Sequence, residues 1–499
     1  MEKILKSVGA TEKLAKKIAK YIVAGDVIRL KGDLGVGKSV FARSIIRELG
    51  HEGKHIPSPT FTLIQTYDDT RLPLAHIDLY RMESADEVEA LGAECWLDHG
   101  AVLVEWPEKA ENWFPEQKPD LLDFHIMEMD NSGTLTVTLE ELNDESRRIV
   151  LTGGASWNRR LSLVDNHYDR PVTEKERQNF VDECGFRNHV ISPVSADASF
   201  RTYWRINTPE GSRIIMDAPP PIENVKPVIE MTRYLESIGV HVPHIYKKNE
   251  EKGFLLLEDF GNTTVRNGIL NHNKPLEPWY YKAVDVLSHL ASNQLPDIRQ
   301  YTKKALWSEV SRFIDWYLPY ARSHATHTAD RKAFKQLWEP LFDKILDVPQ
   351  TTVLWDYHAD NLMMLTDGEP QEGLADIGVI DFQDARIGPV SYDMSMLLQD
   401  VRFEISKELE NKLIQHFLAS QQGIDVDKFM QSYRLINLQR TLKIIGGFTR
   451  LHFRDGKDSY LQYLPRCWQI VDEALTAPEC EDIRHFMNGI VPAKRCLSA

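Results

Sequence analysis

The sequence predicts an α/β domain built around a phosphate-binding loop, followed by an α+β domain. Three observations carry this. A strand, a glycine loop and a helix follow one another over residues 27–49. A polar stretch containing Gly153, Gly154 and Ser156 then interrupts the apolar patterning. Beyond it, Asp356, Asn361 and Asp381 stand around a short hairpin, with the residue types and spacing that a phosphoryl-transfer site needs.

Composition sets the frame. The chain has 499 residues, enough for two or three domains, and 42% are hydrophobic, enough for ordinary packed cores. A formal charge of −15 argues against a strong direct grip on nucleic acid. No stretch approaches the ~18 apolar residues of a membrane span, and Met1–Lys20 lacks the apolar core of a secretion signal. The five cysteines, Cys95, Cys184, Cys467, Cys480 and Cys496, are scattered and form no C-x-x-C. A disulfide framework or zinc site is therefore not expected, and a cytoplasmic setting is.

Thr11 can cap a first helix with Leu14, Ile18 and Ile22 on one face. Val27–Leu30 is the strand leading into Gly32-Asp33-Leu34-Gly35-Val36-Gly37-Lys38-Ser39, which fits G-x-x-x-x-G-K-[ST] at every fixed position. In such a loop the backbone N–H groups of Gly32, Asp33, Gly35, Val36 and Gly37 and the following helix N-terminus face a phosphate. Lys38 would reach the β and γ phosphates, and the Ser39 hydroxyl would bind magnesium. Pro57 and Pro59 then hold the chain extended, so that Thr60 ends a rigid loop, either as a metal-reaching hydroxyl or simply as the turn into an edge strand. Leu74–Arg81 alternates, placing His76, Asp78 and Tyr80 on one strand face, which is either a solvated surface or a site wall. Ala101–Val104 reads as a buried strand that ends in the acid Glu105, next to Trp106. Ligands gather at such carboxyl ends. Residues 122–129 and 134–139 are expected to pair as a hairpin.

Gly-Asp-Leu-Gly-Val-Gly-Lys-Ser (32–39), Pro-Ser-Pro-Thr-Phe (57–61), His-Ile-Asp-Leu-Tyr-Arg (76–81) and Val-Glu-Trp-Pro-Glu (104–108) together resemble the TsaE family, the ATPase subunit of the bacterial system that makes threonylcarbamoyladenosine in transfer RNA. The resemblance covers about the first 155 residues. It implies an α/β P-loop NTPase domain in which Lys38, Ser39, Thr60, Asp78 and Glu105 serve an ATP–Mg2+ site. It also implies that Asp78 orients or activates water and that Trp106 lies beside the nucleotide. TsaB-like and TsaD-like subunits would be the partners, in the modification of adenosine 37.

On composition, residues 1–155 form the first domain, 156–172 a polar connector without a clear period, and 173–499 the second domain. Thr173 with Glu176 reads as a capping box opening its first helix. Two strands follow around Ser195-Ala196-Asp197-Ala198-Ser199, a small polar turn able to drape amides, with Ser195 and Ser199, over a phosphate. Residues 213–217 form another strand, and 254–257 an apolar strand entering the acidic turn Glu258-Asp259. Later, Leu362–Leu365 and Gly378–Ile380 make an antiparallel hairpin. Asn361 begins its first strand and Asp381 follows its second, so both point into one small volume that Asp356 enters on the preceding loop. One carboxylate to take a hydroxyl proton, with an Asn and an Asp for magnesium, is the set a kinase-type transfer requires. Asp393 is placed to buttress this loop, and His358 to hydrogen-bond within it.

Residues 175–480 resemble the aminoglycoside phosphotransferase superfamily. Within it, Ser-Ala-Asp-Ala-Ser-Phe-Arg (195–201), Met-Asp-Ala-Pro-Pro (216–220), Ile-Asp-Phe-Gln-Asp-Ala (380–385) and Gly-Pro-Val-Ser-Tyr-Asp (388–393) look most like the AmgK family of anomeric kinases of N-acetylmuramate and N-acetylglucosamine. The resemblance implies an α+β protein-kinase-like domain with an N-lobe at about 173–258, a hinge near Glu258 that contacts nucleotide, and a helical C-lobe at about 261–480. Asp356 would be the catalytic base, and Asn361 and Asp381 the Mg2+ ligands. One departure stands out. Such kinases carry a phosphate-holding lysine on the third strand, where this chain has Asp217-Ala218-Pro219-Pro220. Lys226, Arg201 or Arg205 could supply the charge, and spacing does not choose among them. The expected function is a fusion of two ATP-using enzymes, with an amino sugar as the second acceptor. The alternatives are an aminoglycoside or other small-molecule kinase and a non-catalytic pseudokinase module.

Overall fold

Strand β2 (Val27–Lys31), apolar at Val27, Ile28 and Leu30, is buried at the middle of a seven-stranded sheet. The computed structural model describes residues 1–51, 56–59, 62–68, 70–82, 96–97, 100–111, 114, 133–143, 146–165, 173–187, 189–196, 201–208, 211–220, 223–493 and 495. The other strands of this sheet are β1 (Glu2–Leu5), β3 (Ile64–Tyr67), β4 (Leu74–Asp78), β5 (Ala101–Glu105), β6 (Thr134–Glu141) and β7 (Arg147–Gly153), in the order β1-β7-β6-β2-β5-β4-β3. β2 runs parallel to β5 and β6, and β4 parallel to β5, while β3, β7 and β1 join antiparallel. β6 therefore takes β7 as its hairpin partner. The expected pairing of 134–139 with 122–129 lies, for its first strand, outside the described residues.

Helices α1 (Val8–Ala19), α2 (Lys38–Glu48) and α3 (Ala155–Asp165) cover one face of the sheet through Leu14, Ile18, Phe41, Ile45 and Trp157. Helix α1 begins earlier than Thr11 predicts. Ser7 is the cap, its hydroxyl accepting from the Ala10 N–H at 3.2 Å, while Thr11 turns inward and is buried. Either hydroxyl suits a cap, and the better burial of Thr11 inside the first turn decides between them.

Helix α3 occupies the first half of the expected connector, and residues 166–172 lie outside the described residues. Its three apolar anchors, Trp157, Leu161 and Val164, sit in the first domain's core, separated in sequence by polar residues that hide the period. Arg160 on this helix forks onto Asp26 at 2.6 and 3.0 Å, both side chains fully buried. Asp26 also accepts from the backbone N–H groups of Val23 and Gly133, so the buried charge is fully bonded.

In the second domain, α4 (Thr173–Glu183) lies on one face of a five-stranded antiparallel sheet and α5 (Lys226–Ser237) on the other. The strands are β8 (Ile191–Ala196), β9 (Thr202–Thr208), β10 (Gly211–Asp217), β11 (Ile245–Asn249) and β12 (Phe254–Glu258), in the order β11-β12-β10-β9-β8. Alternation along β10 sorts its side chains: Ile215 packs toward α4 with Phe180 and Phe254, and Met216 toward α5 with Val228 and Leu255.

The C-lobe is helical, from α6 (Val265–His272) and α7 (Leu276–Ala291) through α8 (Lys303–Arg312), α9 (Leu318–Arg322) and α10 (Thr328–Leu346) to α11 (Tyr392–Leu398) and α12 (Lys407–Ser420). The 30-residue α13 (Val426–Asp455) runs through its core, with α14 (Leu464–Ala474) and α15 (Glu481–Ile490) behind it. Two short antiparallel pairs, β13 (Gln350–Val353) with β16 (Arg386–Pro389) and the β14 (Leu362–Met364)–β15 (Ile377–Val379) hairpin, complete the C-lobe.

The two domains meet through reciprocal cation–aromatic contacts. The Arg71 guanidinium lies 4.3 Å from the Trp316 ring centroid, and that of Arg454 lies 5.0 Å from Tyr21. Tyr21 and Arg71 precede β2 and β4, so this contact lies at the end of the parallel strands opposite the glycine loop.

Candidate functional site

The glycine loop joins β2 to α2 and depends on backbone that only glycine supplies. Gly32 has φ +133°, and a Cβ there would lie 2.3 Å from the Leu139 carbonyl oxygen. Gly37 caps α2 in a left-handed conformation, leaving the helix N-terminus aimed at the loop's interior. The Val36 carbonyl accepts from Arg147 Nε at 3.0 Å, which ties the loop to β7. Lys38 is folded back onto the carbonyls of Gly32 and Asp33 at 2.6 and 2.9 Å, with its ammonium 3.8 Å from the Trp106 ring centroid. Burial lowers the Lys38 pKa, and Glu105, Glu108, Asp78 and Asp33 oppose that shift.

The carboxyl ends of β4 and β5 close this site. Asp78 and Glu105 are register partners on adjacent parallel strands, and both are buried. Glu105 accepts from the Ser39 hydroxyl at 3.1 Å on one oxygen and meets His76 Nε2 at 3.0 Å on the other. Asp78 accepts from the Tyr80 N–H at 3.0 Å. Parallel pairing thus brings Lys38, Ser39, Asp78, Glu105 and Trp106 together. His76, an open alternative in sequence, is completely buried and bonded to Glu105, so this strand face is not a solvated surface. Thr60 lies outside the described residues. A hydroxyl and two carboxylates are the hard oxygen donors that Mg2+ prefers.

The second centre forms at the N-lobe edge of the C-lobe. The Asn361 side-chain amide donates to the Asp356 carbonyl at 2.9 Å, and the Asn361 carbonyl accepts from the Ile380 N–H at 3.0 Å. The β14–β15 hairpin thereby sets Asp356, Asn361 and Asp381 around one volume. Asp381 is left-handed at φ 62°, as are Trp355 at 80° and, in the first site, Trp106 at 58°. Such backbone costs about 1–3 kcal/mol per residue, and clusters where geometry serves function. Asp356 keeps some exposure to the cleft, but its carboxyl is enclosed by protein. Burial, then the charge of Asp381, push its pKa up to about 7, with Lys443 pulling the other way.

The loop is held from behind. Asp393 accepts from the backbone N–H groups of Leu354 and Trp355 at 2.6 and 3.2 Å, which makes it the buttress expected from sequence. The Trp355 ring stacks on Tyr392 at 4.9 Å, with Arg386 and Lys443 lying 3.5 and 4.4 Å from its centroid. His358 lies 3.5 Å from the Asn361 amide, and burial, then the charge of Arg402, lower its pKa.

Other expected contributors fall elsewhere. Ser195 lies in β8 opposite Tyr203, and Ser199 is outside the described residues. The Glu258 carboxylate faces His241 at 3.8 Å and accepts from the His244 N–H at 3.3 Å, at the end of β12 where the hinge is expected. Arg205 forks onto Asp259 at 2.5 and 2.9 Å, while Lys226 is exposed and pairs along its helix with Glu230. Arg201 is buried, 3.6 Å from Asp381 and 3.8 Å from Glu223. Arg147, Arg386 and Lys443 carry no local sequence signal, because each meets its partner only through the fold.

Comparison with known proteins gives a family for each domain. A family model described as threonylcarbamoyl adenosine biosynthesis protein TsaE matches residues 5–136, and one described as phosphotransferase enzyme family matches residues 190–429. The N-acetylmuramate/N-acetylglucosamine kinase of Pseudomonas aeruginosa is 32% identical over 308 residues, covering 60% of this chain and 88% of that protein. That of Pseudomonas putida is 34% identical over 294 residues, 57% of this chain and 83% of the relative. The tRNA threonylcarbamoyladenosine biosynthesis protein TsaE of Rickettsia conorii is 36% identical over 168 residues, 34% of this chain and 87% of the relative. The chain is thus an enzyme that belongs to two families, joining a TsaE-family ATPase domain at its N-terminus to a phosphotransferase-family, kinase-like domain at its C-terminus.

Proposed function

We propose that the chain carries two ATP-dependent activities at separate centres. The first domain hydrolyses ATP in support of threonylcarbamoylation of adenosine 37 in transfer RNA, with TsaB-like and TsaD-like subunits as partners. The second phosphorylates the anomeric hydroxyl of N-acetylmuramate or N-acetylglucosamine. The observation that carries this is the presence of two independent clusters of oxygen donors, Ser39–Glu105–Asp78 and Asp356–Asn361–Asp381, on different cores. The names of the relatives supply the two substrates. No helix among the described residues is long and apolar enough to cross a membrane, and a cytoplasmic site of action suits both roles.

At the first centre, the amides of 32–37 and Lys38 hold the triphosphate, and Asp78 orients the attacking water. Ser39 and Glu105, with Thr60 as a further candidate, would hold Mg2+, and Trp106 would lie beside the nucleotide. At the second, Asp356 takes the proton of the sugar hydroxyl as its oxygen attacks the γ-phosphorus. The bond to the β-phosphate oxygen breaks, and ADP leaves. Asn361 and Asp381 supply oxygen ligands suited to Mg2+. When bound, Mg2+ neutralises phosphate charge at either centre.

An ATP-consumption assay tests the second assignment, using the full chain with Lys38→Ala to silence the first centre. Turnover that depends on N-acetylglucosamine or N-acetylmuramate is expected. Turnover with aminoglycosides alone replaces the acceptor, and none with either class removes the kinase reading. At the first centre, His76 holds Glu105 from behind. His76→Ala is expected to raise the Mg2+ concentration for half-maximal ATP hydrolysis by about 10- to 100-fold. An unchanged Mg2+ titration would show that Glu105 needs no such support.

A further inference from the structure

The geometry assigns to Arg201 the phosphate-holding task of the absent third-strand lysine. This rests on the kinase reading of the second domain and goes beyond it, by naming the cation.

Strand β10 does not provide that cation: its one basic residue, Arg213, lies 4.4 Å from the Tyr246 ring centroid on β11. The β10 positions toward α5 are Ile214 and Met216, packed against Val225, Val228 and Leu257. Asp217, at its end, is buried and pairs with Arg177 at 3.7 Å, whose guanidinium stacks 3.6 Å from the Trp204 ring. The acid is thereby neutralised from the α4 side and adds no charge to the cleft. Asp217 is the register partner of Thr202, so Arg201 stands directly beside the end of β10, one strand over from the usual lysine position.

Two acidic partners define the aim of Arg201. Nη2 lies 3.6 Å from Asp381 Oδ1, across the cleft on the C-lobe, and Nε lies 3.8 Å from Glu223 Oε2, on the approach to α5. A cation held between an acid near the N-lobe helix and the aspartate of the phosphate centre occupies the place where nucleotide phosphates must pass. Arginine also suits the task, because its planar fork matches phosphate oxygens in pairs. The competing cations are committed elsewhere. Arg205 is forked onto Asp259, and the Lys226 side chain is 64% exposed and turned along its own helix toward Glu230. Arg201 therefore binds the α and β phosphates, and Glu223 positions it.

The test is titration calorimetry of the full chain in the Lys38→Ala background with Mg2+·ADP and with adenosine. Arg201→Met is expected to weaken ADP binding roughly 10- to 100-fold, the loss of one charge-assisted hydrogen-bonded contact, and to leave adenosine binding unchanged. Arg201→Lys keeps the charge but loses the paired fork, and its ADP affinity is expected to fall between those of the parent and Arg201→Met. Lys226→Ala is expected to match the parent. ADP binding unchanged in Arg201→Met overturns the assignment. So does equal loss of ADP and adenosine, which marks a folding role, and so does a loss in Lys226→Ala. If the parent phosphorylates no amino sugar but its ADP binding depends on Arg201, the sugar assignment falls and the arginine assignment stands. If the parent binds no ADP, both fall.

Discussion

Asp356→Asn is expected to lower the amino-sugar-dependent phosphorylation rate by about 10²–10⁴-fold, the usual worth of a general base. The substitution keeps the size of the side chain and removes its ability to accept a full proton. The Asn361 amide bonds the Asp356 backbone carbonyl, and Asp393 holds the preceding amides, so the loop geometry does not depend on the carboxylate. A fall in kcat with a thermal melt like the parent's is the expected pair of results. The elevated Asp356 pKa fits the same role, since enclosure and Asp381 make this carboxylate a better proton acceptor than an exposed one. A rate equal to the parent's would mean that another group takes the proton. Absence of any sugar-dependent rate in the parent would favour a binding module.

Lys38→Ala is expected to reduce ATP hydrolysis by the first domain about 10²–10³-fold, the loss seen when one preorganised charge-stabilising donor is removed. The Lys38 ammonium hydrogen-bonds the loop carbonyls of Gly32 and Asp33. Its removal leaves the acids Glu105, Asp78 and Glu108 facing the triphosphate without an ammonium between them. The measurement is phosphate release by the full chain, without sugar, in the presence of the partner subunits. Sugar phosphorylation is expected to persist, because the two centres stand on separate cores and the interdomain contact lies at the far end of the first sheet. A parallel loss of both activities would show that the centres are linked.

Much of the architecture is legible locally. The glycine loop, its strand and its helix are contiguous, so a short window specifies all three. The β14–β15 hairpin is equally local, and its antiparallel geometry alone places Asn361 beside Asp381. The same logic fails at residues 155–165, where three apolar side chains among polar neighbours look like a connector until a partner surface is supplied. It fails again at Thr11, where two hydroxyls four residues apart suit a cap and packing chooses Ser7.

Sequence by itself determined the glycine loop, the two clusters of candidate site residues, and that no lysine ends the third strand of the second domain. Only the tertiary structure decided which distant side chains complete them. His76 reaches Glu105 because β4 and β5 pair in parallel register, Lys443 reaches Trp355 because α13 crosses behind the loop, and Arg201 reaches Asp381 because one lobe faces the other. The division has a physical cause. Backbone turns and caps are set by neighbours in the chain. Ion pairs and second-sphere hydrogen bonds need two groups brought within about 3–4 Å, and no spacing rule encodes that when the partners lie on separate elements.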